Sequence, residues 1–134
     1  MRKLLLIALS AVLTAAVGHA ANDDIIVDGV VYEWYGQNNQ YGYIATGWDE
    51  ETPIQSLHIR GQVDGYQVFG IANGAFEDNE DIVYLTIDEG ITSIGQNAFC
   101  RCSNIEVAIL PEGLDTIEEE AFAFCTSLNT MVIP

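Results

Sequence analysis

The sequence predicts an α/β, β-rich fold: a solenoid of short parallel strands and one-turn helices, closed at its start by a small antiparallel β unit. Three observations carry this expectation. Ala75-Phe76, Ala98-Phe99 and Ala121-Phe122 recur at a step of 23 residues, and internal periodicity on that scale marks repeat architectures. Each recurrence is followed by a short run rich in β-branched or aromatic residues, the composition of a strand. One unit offers about six or seven apolar side chains, too few to offset the entropy of ordering its own backbone. Each unit therefore needs neighbours on both sides, which makes the array quasi-one-dimensional. With 134 residues, 49% apolar and 18% charged, the chain has room for one modest domain and is not a disordered tail.

Residues 1–20 read as a secretory signal. Arg2-Lys3 precedes an apolar run from Leu4 to Val17, then Gly18-His19-Ala20 supplies small residues before a cut at Ala21. The competing reading is a membrane anchor. The 14 residues of the run would cover about 21 Å as a helix, against a hydrocarbon core of about 30 Å. No second long apolar stretch follows, so no membrane insertion is expected once the signal is removed. Residues 21–53 read as an N-terminal β cap. Ile25-Ile26-Val27, Val30 to Tyr35 and Tyr41 to Thr46 are extended pieces separated by Asp28-Gly29 and by the turn-like run Gly36 to Gln40. The cap covers the apolar end of the first coil. Alternatively, Tyr32, Trp34, Tyr35, Tyr41, Tyr43 and Trp48 form an aromatic platform for carbohydrate.

Residues 54–134 read as the array, with about three 23-residue units and one looser copy upstream. Ile71, Ile94 and Ile117 share a column, as do Ile82, Ile105 and Leu128, then Leu85, Ala108 and Met131, then Ile87, Leu110 and Ile133. Ala75, Ala98 and Ala121 allow close approach, and Phe76, Phe99 and Phe122 fill the interior. Cys102 and Cys125 occupy the column that holds Asn79 in the earlier copy. Ile54, Leu57 and Ile59 repeat the spacing of Ile82, Leu85 and Ile87, offset by 28 residues because 60–70 holds five extra positions around an Asp64-Gly65 turn. Ile82 to Ile87 is the strand, Asp88-Glu89-Gly90 ends it, and Gln96 to Phe99 is long enough for one helical turn. The array stops at Ile133-Pro134, where a strand has just finished, so it is expected to be part of a longer one.

The motif Ile-Gly-x-x-Ala-Phe-x-x-Cys-x-x-Ile/Leu, followed by an apolar strand ending in Pro, resembles the BspA-type leucine-rich repeat of bacterial surface proteins. Ile94 to Ile105 matches nearly throughout; in Ile117 to Leu128, Glu118 replaces the glycine; in Ile71 to Ile82, Ala72 and Asn79 stand at the Gly and Cys places. The resemblance implies a curved, right-handed leucine-rich-repeat solenoid with a parallel sheet on one side. It also implies a secreted or surface interaction and adhesion protein rather than an enzyme.

Charge and composition exclude several functions. Twenty acidic residues face four Lys+Arg, a formal net charge of −16. Nucleic-acid binding is excluded, since phosphate needs a basic face. Once Arg2 and Lys3 leave with the signal, Arg60 and Arg101 are the only strong cations. Cys100, Cys102 and Cys125 could offer three zinc ligands, but no fourth is in view. Column geometry favours Cys102 and Cys125 as small buried residues in the reduced state, with Cys100 the odd one. Glu77-Asp78-x-Glu80-Asp81 and Glu118-Glu119-Glu120 lack the alternating ligands of a calcium loop and read as solvated turns. His58 has no nucleophile or carboxylate partner in a recognisable motif. No cofactor is expected.

Alternation along the strands supplies the functional expectation. With Leu85 and Ile87 pointing inward, Tyr84 and Thr86 point outward. Val107 and Ile109, then Thr130 and Val132, are their equivalents, with Ser56 and His58 upstream. Stacking joins them into an exposed stripe of β-branched and aromatic residues, the character of a binding face. The reading is a secreted or cell-surface module that binds a protein, such as a host or matrix component. The alternatives are a carbohydrate-binding cap and the non-catalytic front of a larger secreted enzyme. So acidic a module should avoid acidic glycans through repulsion. Heparin chromatography at physiological salt is expected to show no retention.

Overall fold

The structure is a computed structural model that describes residues 24–134; the signal expected over 1–20 lies outside them. Three strands open it: β1 (Ile25–Val27), β2 (Val30–Gln37) and β3 (Gln40–Trp48), paired antiparallel in chain order. Their turns are two-residue turns with both residues at positive φ. Asp28-Gly29 has φ of 52° and 80°, and Asn38-Asn39 has 52° and 64°. That backbone twist matches the twist of flanking strands, and Asn, Asp and Gly tolerate it best.

β4 (Ser56–Ile59) begins the coils. β5 (Gln62–Val63) and β6 (Tyr66–Ile71) form a hairpin through Asp64-Gly65, which uses up the five extra residues of the looser copy. The remaining strands are β7 (Tyr84–Ile87), β8 (Ser93–Ile94), β9 (Val107–Ile109), β10 (Thr116–Ile117) and β11 (Thr130–Val132). They assort into two parallel walls. One runs β4, β7, β9, β11, with Leu57, Leu85, Ala108 and Met131 in register, the offsets read from the repeat. The other runs β6, β8, β10 and is extended by the opening strands, because β3 lies parallel beside β6. The cap is thus continuous with the array through one sheet.

The third wall corrects the expectation of one-turn helices: no helix occurs among the described residues. Hydrogen bonding in 74–79 explains this. The amides of Ala75, Glu77 and Asn79 close local turns onto Ala72, Gly74 and Phe76. The alternate amides, of Gly74, Phe76 and Asp78, donate instead to Gln96, Ala98 and Cys100 of the next coil. The pattern recurs 23 residues on, where Asn97, Phe99 and Arg101 donate to Glu119, Ala121 and Ala123. A left-handed residue stands at two columns of each coil: Gly74, Asn97 and Glu120, then Asp78, Arg101 and Phe124, with φ between 57° and 64°. A helix needs consecutive right-handed residues with every amide bonded within the segment. Here every second amide is committed to a neighbour.

The interior holds an aromatic file. Phe76 and Phe99 stack at 5.3 Å and 4°, Phe99 and Phe122 at 5.1 Å and 11°, and Trp48 stacks on Phe76 at 6.1 Å and 23°. Around it Ile71, Ala75, Ile82, Leu85, Ile87, Ile94, Ala98, Cys102, Ile105, Leu110 and Ala121 are buried, and Ile91 is buried with them. Phe122, Cys125 and Leu128 pack against it while partly buried. Two expected core positions are not buried: Ile117 is 44% exposed and Ile133 58% exposed. Their column mates Ile94 and Leu110 are covered by a following coil, and none covers the last coil among the described residues.

Two contacts fasten the cap to the first coil. The backbone N–H of Arg60 donates to the buried Tyr32 hydroxyl at 2.9 Å, and burial pushes that phenol up to about 12. The Arg60 guanidinium donates to Asp28 at 2.6 and 2.8 Å.

Position in the file sets the cost of truncation. Phe99→Ala, with a ring on each side, should cost about 3–5 kcal/mol. Phe122→Ala, with one ring neighbour, should cost about half that or less. Urea unfolding of both variants checks this, and equal losses would contradict it.

Candidate functional site

The sheet β4, β7, β9, β11 turns one face inward and the other to solvent. Pairing aligns Ser56, Tyr84, Val107 and Thr130 in one outward column and His58, Thr86, Ile109 and Val132 in the other. Tyr84 is 50% exposed, Ile109 40% and Val132 43%. Ser56, His58 and Thr130 are exposed, and Thr86 and Val107 are half-buried. The inward positions Leu57, Ile59, Leu85, Ile87 and Ala108 are buried, so the period of two dictates the display. All seven predicted stripe residues lie on this one face.

Polar groups border the face at both strand ends. Beyond the strands, His58 Nε2 lies 2.6 Å from Asp88 Oδ1, while Asp88 Oδ2 accepts the Gly61 N–H at 3.3 Å. Sequence reasoning left His58 without a carboxylate; Asp88 reaches it only because adjacent coils stack strand on strand. A shallow cleft of about 420 Å³ opens here, lined by Arg60, Gly61, Gln62, Gln67, Asp88 and Glu89. Within it Gln67 Nε2 donates to Gly90 O at 2.8 Å, and Glu89 Oε1 accepts the Glu112 N–H at 2.9 Å. Before the strands, Glu80, Asp81 and Glu106 are exposed.

The other candidate chemistries find structural roles. Among the described residues no group of three or more His, Cys, Asp and Glu could hold a metal ion. The three cysteines are free. Cys102 Sγ donates to Phe76 O at 3.0 Å and Cys125 Sγ to Phe99 O at 3.1 Å, each thiol tying its coil to the preceding one. Burial pushes the Cys102 thiol up to about 12 and raises Cys125 as well. In the first coil Asn79 fills the column, its Oδ1 accepting the N–H groups of Asp81 and Ile82. The aromatic platform is not assembled as a free surface. Trp48 heads the phenylalanine file, and Trp34 packs edge-on to Tyr43 and Tyr66. Tyr41 is exposed.

Away from the strand face, the turn wall carries the Arg101 ion pairs. Its guanidinium donates to Asp78 at 2.5 Å and to Glu77 at 2.8 Å, bridging neighbouring coils. The Arg101 hydrogen bonds hold the Asp78 carboxyl below the usual carboxylate range and raise the guanidinium in turn.

A family description, BspA type Leucine rich repeat region, matches residues 51–134 in six copies. Among solved structures, a leucine rich repeat protein of T. pallidum superposes with a TM-score of 0.69 at 28% identity, over 77% of this chain and 47% of that one. A leucine-rich repeat protein from Bacteroides ovatus gives 0.68 at 21% identity, over 81% and 29%. One from Bacteroides capillosus gives 0.59 at 18%, over 81% and 96%. The last two are likenesses of fold alone. The chain spans less than half the length of the first two. Comparison with curated proteins returned no match.

The lowered Asp78 carboxyl has a pH consequence. Its stabilising contribution is fully present above the ordinary aspartate value of about 3.9 and is lost as pH falls through the lowered value. Asp78→Asn should therefore unfold at a lower temperature than the parent chain at pH 6. The gap should close in strong acid. Thermal melts of both proteins from pH 2 to 7 check the sign.

Proposed function

We propose, for a chain that belongs to the BspA-type leucine-rich repeat family, that it is a secreted or cell-surface module that binds a protein through the outward face of β4, β7, β9 and β11. Host or matrix proteins are the partner class. One observation carries the reading: two outward columns in continuous register bring the exposed Tyr84, Ile109 and Val132 together with the half-buried Val107 on one face. On β4, β7 and β9 burial of the opposite face already stabilises the sheet, so the exposed apolar groups there are surplus to folding. Their rigid backbone lowers the entropic cost of association. The leader pattern in 1–20 supports export. No catalytic role is assigned: His58 and Asp88 form a pair on an open face, and among the described residues no hydroxyl or thiol bonds to His58.

Changing Tyr84→Ser, Val107→Ser and Ile109→Ser together tests the face. The substituted positions are exposed or half-buried, so the melting temperature should hold. Affinity for a matrix-protein ligand, found by solid-phase screening, should fall about tenfold or more, equivalent to about 1.4 kcal/mol. Unchanged affinity in the folded variant would remove the strand face from the binding reaction.

A further inference from the structure

The margins of the strand face say what kind of protein segment it suits. The inference rests on the strand face being the binding surface and goes further by specifying the occupant. Exposed carboxylates border the strands at both ends: Glu80, Asp81 and Glu106 before them, Glu89 and Glu112 beyond them. Arg60 stands at the far margin beside Asp88 and Glu89, where its own ion pair matches its charge, and Arg101 lies on another wall. Arg60 is held by Asp28 of the cap, and Arg101 by Asp78 and Glu77 on the turn wall. His58 sits against Asp88 and faces no other margin carboxylate among the described contacts. Between the margins the outward columns carry hydroxyl, aromatic and aliphatic groups, with His58 the one titratable side chain besides Tyr84.

Dimensions narrow the occupant further. Four strands at about 4.8 Å spacing are about 14 Å across, and the four-residue β7 is about 13 Å long, with Asp81 and Glu89 a few residues outside its two ends. That platform is far smaller than the roughly 800 Å² each partner buries in a standard interface. It fits one extended segment or loop. At about 3.3 Å per residue, a segment laid along the strands would reach both margins with about seven residues. An apolar centre alone would leave the carboxylates to repel an acidic flank and to attract a basic one.

We infer that the strand face takes a short cationic segment of a partner protein: an apolar or β-branched centre flanked on both sides by lysine or arginine. Both ends matter, because the carboxylates stand at both ends of the strands.

Three eight-residue peptides test this by calorimetry against the protein at about 0.15 M salt, where screening reaches about 8 Å. The first carries two lysines at each end and a Val-Phe-Val-Thr centre. The second has glutamates for the lysines, and the third keeps the lysines around a Gly-Ser centre. Only the first should bind measurably. Asp81→Asn, Glu89→Gln, Glu106→Gln and Glu112→Gln together should weaken it tenfold or more. Glu118→Gln, Glu119→Gln and Glu120→Gln on the turn wall should change affinity less than twofold. Three results would overturn the inference: equal losses in the two charge variants, binding of the first peptide no tighter than either other, or no binding of the first peptide. The matrix-protein ligand separates this failure from failure of the binding face. If the margin variant keeps that ligand while the Tyr84, Val107 and Ile109 variant loses it, the cationic occupant falls and the face stands. If both variants keep it, both readings fall.

Discussion

Every feature of this molecule depends on the contact between one coil and the next. A single coil closes around too little apolar volume to hold itself together, and stacking cures this by laying Phe99 on Phe76 and Phe122 on Phe99. The same contact satisfies the backbone. Parallel pairing joins coils on two walls, and alternate amides of the turn wall join them on the third. A buried amide left without a partner is costly, so hydrogen bonding and hydrophobic burial demand the same neighbour. The cysteine column adds to this agreement, since each thiol donates to a carbonyl one coil back.

The two ends meet this demand differently. At the start, the antiparallel strands supply an edge for β6 and set Trp48 at the head of the phenylalanine file, a ring where a preceding coil would have placed one. Tyr32 and Asp28 then hold the strand end of β4 through the two groups of Arg60. At the last coil, Ile117, Met131 and Ile133 occupy columns that are buried one coil earlier. Their exposure follows from stacking order; their side chains are as apolar as those of their buried mates.

Function, as proposed, is a by-product of this regularity. The alternation that drives Leu57, Leu85 and Ala108 inward forces Ser56, Tyr84 and Val107 outward, and the common register turns single exposed side chains into columns. The strands are short, so their flanking turns lie close to the columns, and acidic turn residues become the margins of the face. Both arginines of the described residues are ion-paired, Arg60 with Asp28 and Arg101 with Asp78, so the margins keep a net negative charge.

The 23-residue step, read from the sequence alone, determined the columns, the strand register, the phenylalanine file and the outward stripe. These follow from a translational repeat, in which equivalent residues must meet equivalent residues. The Asp28-Gly29 and Asp64-Gly65 turns were legible for a local reason, the tolerance of those residues for positive φ. Tertiary structure decided what depends on the neighbour. The pattern Gln96-Asn97-Ala98-Phe99 is compatible with a helical turn by itself, yet it becomes a laddered turn because the adjacent coil takes every second amide. Trp48 could have been a platform residue or a core residue until Phe76 was seen beneath it. Asp88 became the partner of His58 across 30 residues of sequence, a distance over which local pattern has no voice. Ile117 and Ile133 look like core in their own unit, but burial is a property of the stack, and among the described residues no further coil covers theirs.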